Sequence, residues 1–151
     1  MQEYKVRVYD NGTEEWYQND KLHRENGPAL IYSSGSKRWY QNGKLHREDG
    51  PAVIFADGFE KWFRNGELHR ENSPAVIHPN GFEKWFRNGE LHREDGPAVI
   101  YPDGRKYWYI NGKKLSEEEF NSRKVKELSV KELTVKEISK LLGYEVKIVK
   151  D

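Results

Sequence analysis

The sequence predicts a mainly β fold: a tandem array of 23-residue β-hairpin repeats, an elongated meander or solenoid, with a small C-terminal α/β cap. Three observations carry this expectation. Trp16, Trp39, Trp62, Trp85 and Trp108 stand 23 residues apart, and His23, His46, His69 and His92 keep the same interval, as do Pro28, Pro51, Pro74 and Pro97. Glycine turns punctuate every interval, one series being Gly12, Gly35, Gly58, Gly81 and Gly104. Between such turns a unit of this length holds two short strands and a loop, but no helix.

Each element follows from local chemistry. Residues 51–55 (Pro-Ala-Val-Ile-Phe) form a β-branched and aromatic run, and a proline is tolerated at the first position of a strand. Ala56-Asp57-Gly58 supplies a positive-φ turn, residues 59–64 read as the return strand, and Asn65-Gly66 turns the chain again. The loop Leu45-His-Arg-Glu-Asp-Gly50 and its counterparts complete the unit. The unit opening at Trp16 differs, with Asn19-Asp20 where the others have Asn-Gly. Four full repeats lie between half-repeats at 4–15 and 108–114, so the array is expected to occupy 1–114. A unit this small cannot bury its own apolar face and must stack on its neighbours. At roughly 4.8 Å per strand the stack would extend about 40 to 45 Å.

Beyond residue 114 the pattern changes. Ser116 and Glu119 have the spacing of a capping box. Residues 125–139 repeat Val-Lys-Glu-Leu/Ile-Ser/Thr every five positions, a period fitting neither helix nor strand, so one continuous amphipathic helix is not expected there. Thr134 and Glu137 form a second box, predicting a helix over 135–142, a stop at Gly143 and a strand over 144–149. Residues 115–151 are expected to cap the array or to dock a partner.

Composition narrows the function. A chain of 151 residues is one domain's worth, which excludes separate cofactor and substrate modules. Aromatic residues make up 13 %, too many for a disordered chain. Basic residues number 26 against 25 acidic, and 16 against 17 within residues 1–112, so no net field draws the chain to nucleic acid or an anionic membrane. There is no cysteine, hence no disulfide, thiolate nucleophile or Cys-type zinc site. With no apolar run long enough for a signal peptide or membrane span, a soluble cytoplasmic protein is expected.

Equivalent histidines in adjacent units would lie roughly 9 to 10 Å apart, too far to share one metal ion. The bland assignment is that each histidine bonds backbone and each following Arg-Glu pair braces neighbouring loops. Repeated carboxylates (Glu48 and Asp49, Glu94 and Asp95) share one environment, whereas acid–base catalysis needs two. The exceptions to the repeat are Ser33-Ser34, Ser73, His78 and Tyr107; a Ser-His pair without an orienting acid is not a triad. No catalytic residue, metal or cofactor is expected. Alternation along 59–64 instead points to binding. Trp16, Trp39, Trp62, Trp85 and Trp108 form the repeat core with Ala52 and Ile54. Arg38, Tyr40, Phe59, Lys61, Phe63, Phe82, Lys84, Phe86, Tyr107 and Tyr109 form an outward stripe of rings and cations suited to another protein.

The unit resembles the MORN repeat family, in the variant found in bacterial and phage proteins, some of them antitoxins. The residues that carry the resemblance are Trp62-Phe-Arg-Asn-Gly-Glu-Leu-His69, Gly96-Pro-Ala-Val-Ile-Tyr101 and Asp103-Gly104, with their counterparts across residues 9–112. What it implies is an all-β hairpin array serving as a protein or lipid interaction platform without shared catalytic residues. Arg24, Arg47, Arg70 and Arg93 stand where the common family pattern has glycine, so lipid binding is not carried over. The resulting expectation is a non-catalytic scaffold that blocks a host or toxin protein. The alternatives are a sponge for a nucleotide or other small signalling molecule and, less favoured, nucleic-acid or membrane binding. A strand ending the array could also pair into a homodimer.

Overall fold

The structure, a computed structural model, describes residues 3–129. The chain divides into two units, Met1–Ser116 and Glu117–Asp151.

The first unit is a run of short antiparallel strands. β1 (Lys5–Val8), β2 (Glu14–Gln18) and β3 (Lys21–Leu22) open it. The next repeat contributes β4 (Leu30–Ile31), β5 (Lys37–Arg38), β6 (Tyr40–Gln41) and β7 (Lys44–Leu45). The following one gives β8 (Val53–Ile54), β9 (Glu60–Lys61), β10 (Phe63–Arg64) and β11 (Glu67–Leu68). After it come β12 (Val76–Ile77), β13 (Glu83–Lys84), β14 (Phe86–Arg87) and β15 (Glu90–Leu91). The array closes with β16 (Val99–Ile100), β17 (Lys106–Ile110) and β18 (Lys113–Leu115). Leu115, expected to open the C-terminal segment, ends β18 by pairing with Trp108.

The architecture is mainly β, with a long hairpin meander: β1-β2-β4-β5-β8-β9-β12-β13-β16-β17-β18 are successive neighbours in one sheet, with β3 branching from β2. The pairs β6–β7, β10–β11 and β14–β15 are separate two-stranded ladders. This corrects the reading of 59–64 as one return strand. Trp62 interrupts it, because its two backbone groups serve different ladders. The Trp62 N–H donates to the Ala75 carbonyl at 2.7 Å, on the long sheet, while its carbonyl accepts from the His69 N–H at 3.1 Å, in the small ladder. Trp39 and Trp85 repeat the corner, with Ala52 and Ala98 on one side and His46 and His92 on the other.

Turn chemistry sets both hairpin types. At 55–59 the Phe55 N–H donates to the Phe59 carbonyl, Gly58 has φ of 85°, and the Asp57 carboxylate accepts from the Phe59 N–H at 3.0 Å. This is a three-residue connection with glycine in the left-handed position. In the small ladders Asn65 and Gly66 have φ of 52° and 92°, the two-residue turn that matches strand twist. In the first unit Asp20 takes φ of 57° where its counterparts are Gly43, Gly66, Gly89 and Gly112. A left-handed non-glycine residue costs on the order of 1 kcal/mol, and glycine's extra unfolded-state entropy returns about half of that. Asp20→Gly is therefore expected to raise stability by about 0.5 kcal/mol, measurable as a higher urea midpoint; a lower midpoint would show that the Asp20 side chain is doing something specific.

The sheet register produces two ladders of side chains, since directly opposed residues share a face. One runs Leu30, Arg38, Val53, Lys61, Val76, Lys84, Val99, Tyr107. The other runs Ile31, Lys37, Ile54, Glu60, Ile77, Glu83, Ile100, Lys106. Ala29, Ala52, Ala75 and Ala98 are completely buried, and Leu30, Val53, Val76 and Val99 nearly so. The tryptophans and Ile54 are half-buried. The expected core therefore needs correction: Val53, not Ile54, is the buried partner of Ala52. Its face is covered because Arg38 and Lys61 flank it in register and lie over aromatic rings, as described below. At the far edge, β1 pairs only with β2 and presents Val6 and Val8, the latter 70 % exposed.

The second unit begins with α1 (Glu117–Ser129), starting directly after Ser116, where the capping box places it. Glu117, Glu118 and Glu119 sit in its first turn, favourably placed for the helix dipole. The helix takes in 125–129, the first of the five-residue repeats; the other two, over 130–139, lie outside the described residues. The helix expected over 135–142, its stop and the strand over 144–149 lie outside the described residues. Among the described residues no helix is long and apolar enough to cross a membrane.

Candidate interaction site

Two surfaces of the array concentrate chemistry. The first is built on the valine-bearing ladder. The Phe55 and Phe59 rings stack across the Gly58 turn with centroids 5.3 Å apart, and Phe59 meets His78 of the next turn at 5.1 Å. The Lys61 ammonium lies 5.3 Å from the Phe55 centroid and 5.0 Å from that of Phe59. One repeat later Phe82 meets Tyr101 at 5.0 Å, Tyr101 meets Tyr107 edge-on at 5.9 Å, and Lys84 lies over Phe82. Arg38 lies over Tyr32, Arg105 over Tyr101 and Lys114 over Tyr107. All the rings are half-buried and keep part of their surface in water.

Of the residues expected to form the stripe, the structure brings together Arg38, Phe59, Lys61, Phe82, Lys84 and Tyr107. Tyr40, Phe63, Phe86 and Tyr109 are placed elsewhere, beyond the tryptophan corner. Tyr40, Phe63 and Phe86 oppose Leu45, Leu68 and Leu91 in the small ladders, and Tyr109 opposes Lys114. Their carbonyls accept from the Arg24, Arg47, Arg70 and Arg93 N–H groups of the preceding unit at 3.1 to 3.2 Å, so these positions tie one repeat to the next. The sequence reading missed Tyr32, Phe55, His78 and Tyr101 as stripe members. Their common 23-residue interval, always with a ring, was the available signal.

The second surface carries the His-Arg loops. His23, His46, His69 and His92 are buried, and each Nδ1 accepts the backbone N–H of the asparagine 19 residues on, in the next unit's turn, at 3.1 Å. The histidines thus do bond backbone, but across the repeat boundary, which makes them the register pins of the array. The guanidinium carbon of each following arginine lies over a tryptophan ring of its own unit, at 3.8, 4.2, 3.7 and 3.9 Å from the centroid for Arg24, Arg47, Arg70 and Arg93. The expectation that each Arg pairs with its neighbouring Glu is corrected: Arg47 and Arg93 bind Asp49 and Asp95, two residues on, at 2.8 and 2.7 Å. No group of three or more acidic or histidine side chains able to hold a metal ion occurs among the described residues.

The glutamates of these loops pair with histidine and with a different arginine. Glu71 lies 2.9 Å from His69 Nε2 and 3.5 Å from Arg64; Glu94 lies 3.2 Å from His92 Nε2 and 2.9 Å from Arg87. Where Gln41 replaces that arginine, His46 and Glu48 separate to 3.8 Å. In the first loop, which has Gln18 there, His23 Nε2 has no hydrogen-bond partner. Among the described residues, two units carry the full Arg-Glu-His triad. Beside them lie two grooves of about 440 and 400 Å³, which share Arg70 and Glu71 in their walls.

The His69 hydrogen bond, helped by the fields of Arg64 and Arg87, holds the Glu71 carboxyl below the ordinary glutamate range; the Arg87 and then the His92 hydrogen bonds do the same for Glu94. Burial lowers Arg70 from the usual arginine range. A carboxylate whose folded pKa is depressed adds stability above its unfolded value of about 4.3, and this is lost as pH falls through the lower folded value. Stability should accordingly decline below about pH 4.3, and Glu71→Gln with Glu94→Gln should flatten that decline. Denaturation midpoints against pH check it; an unchanged acid slope would remove the triads from the stability of the fold.

Ser73 lines the larger groove, whereas His78 joins the aromatic stripe and approaches Asp57 at 4.0 Å, so the two residues serve different surfaces. No protein-family model and no curated protein matches the chain.

Proposed function

We propose that this chain is a non-catalytic scaffold that binds another protein through the ring-and-cation stripe of its long sheet. The observation that supports the reading is the continuity of the stripe from Tyr32 to Tyr107, with a cation over each cluster of rings. Rigid rings lose little entropy on contact, and cations already seated on them need no rearrangement to meet a partner's acidic rim. The alternating Val and Lys or Arg register beneath fixes the spacing of these clusters at one per repeat. The resemblance to antitoxin-bearing MORN variants adds a finer proposal, that occupying the partner's surface is how the chain acts, as a blocker of a host or toxin protein.

The test is recovery of tagged protein from its producing cell. A stoichiometric protein should travel with the wild-type chain and be lost from Lys61→Glu combined with Lys84→Glu, which reverses the charge of the stripe; both lysines flank the valine row in register, so a melting curve checks that the variant is folded. A small adduct in native mass spectrometry, with no protein companion, would replace this reading by the sponge for a small signalling molecule. Among the described residues, the open edge of β1 is a route to self-association. A symmetric antiparallel pair there that matches Val6 with Val8 sets Arg7 opposite its own copy, a like-charge contact that edge strands use against pairing. Light scattering is therefore expected to give a monomer, and a dimer abolished by Val8→Lys would overturn that expectation.

A further inference from the structure

The larger groove lies where the repeat departs from its own pattern. The second and fourth His-Arg loops read His-Arg-Glu-Asp-Gly-Pro, but the third reads His69-Arg-Glu-Asn-Ser-Pro74. Asn72 stands where the sister loops have Asp49 and Asp95, and Ser73 stands where they have Gly50 and Gly96. Both departures line the groove, together with Arg70, Arg87 and Arg93.

We propose that this groove binds a carboxylate supplied from outside the chain, received by the Arg70 guanidinium. The sister loops show what the arginine holds when the acid is built in: Arg47 Nε donates to Asp49 at 2.8 Å and Arg93 Nε to Asp95 at 2.7 Å. Arg70 is posed like them, 3.7 Å from the Trp62 ring centroid with Nη1 donating to the Pro74 carbonyl at 3.1 Å, but the amide of Asn72 brings no negative charge. The acids around it are already matched: Glu71 by Arg64 and His69, Glu94 by Arg87 and His92, Asp95 by Arg93. Arg70 is left without an ion pair among the described residues, and Glu60 acts on it only from longer range. Its planar fork, seated over the indole, suits the two oxygens of a carboxylate. The Ser73 hydroxyl and the Asn72 amide add donors that neither sister loop offers at these positions. The first loop has a comparable amide, Asn26 beside Arg24, but its following unit carries Gln41 where this groove has Arg87.

This site lies apart from the aromatic stripe and does not depend on the function proposed for it. The test is an NMR titration of the arginine Nε–Hε signals at constant ionic strength. Two carboxylate probes are used, glutarate and the peptide acetyl-Glu-Gly-Glu-amide, with sodium chloride as control. The Arg70 signal should shift and saturate in the millimolar range while those of Arg47 and Arg93 stay still, and Asn72→Asp should weaken the response at least tenfold. That variant restores the sister loops' residue, so it is expected to fold, and its amide spectrum checks this. A response to the peptide at lower concentration than to glutarate identifies an acidic side chain of a partner protein as the source; the reverse order identifies a small dicarboxylate. A shift reproduced by chloride, or one equally strong in Asn72→Asp, overturns the proposal.

Discussion

Trp62→Ala will cost about 3 kcal/mol of stability, at the lower end of the range for tryptophan truncation because the ring is only half-buried. The loss has several parts. The indole supports the Arg70 guanidinium at 3.7 Å, and without it that cation loses the face on which it lies. The residue is also the corner at which the chain passes from the long sheet to the small ladder. Because each repeat contacts mainly its neighbours, a defect at a central corner weakens the coupling of the units on both sides. Trp62→Phe keeps a ring beneath Arg70 and should lose about 1 kcal/mol, within the range for volume-altering aromatic changes. Urea denaturation followed by circular dichroism measures both. A loss below 1 kcal/mol for the alanine variant would show that the tryptophan column is ornament on a sheet held together by its Ala and Val rows.

Much of this architecture was legible because the repeat writes its structural demands in scarce residues. A positive φ favours Gly, Asn or Asp, so Asn65-Gly66 and Gly58 announce two different turns, and both occur where their chemistry requires. The corner at Trp62 was not legible. Alternation along 59–64 is broken only by the adjacent polar pair Glu60-Lys61 and the adjacent apolar pair Trp62-Phe63; the corner arises from where the Trp62 N–H and carbonyl find partners, which hydropathy does not record. For the same reason alternation alone extends the stripe to Phe63 and Phe86, although it ends before the tryptophan. Alternation along a single strand does not reveal Phe55 and Tyr101, because they join the face only after the glycine turn folds the chain back. The Arg70 groove was half visible: Ser73 stood out as an exception, but pairing each arginine with the adjacent glutamate hid the role of Asp49 and Asp95, and with it the meaning of Asn72.

Phe59→Ala combined with Phe82→Ala should weaken partner binding about a thousandfold. Each residue stands at the centre of a cluster, Phe59 between Phe55, Lys61 and His78, and Phe82 between Lys84 and Tyr101. Truncating a central ring removes its own contact area and the surface on which a cation rests, and hot-spot aromatics typically carry about 2 kcal/mol each. Two such losses amount to about 4 kcal/mol, or roughly three powers of ten in Kd. The folded array should survive, since both rings are half-buried and the Ala and Val rows keep their register. Phe63→Ala with Phe86→Ala provides the contrast. Those rings oppose Leu68 and Leu91 in the small ladders, so their loss should appear chiefly as lower stability, with binding by the folded fraction nearly unchanged. Affinity measured by calorimetry against the recovered partner, with a melting curve for each variant, separates the two outcomes. If the second pair abolishes binding by intact protein while the first leaves it untouched, recognition runs along the small ladders, and the stripe is no more than a cover for the valine row.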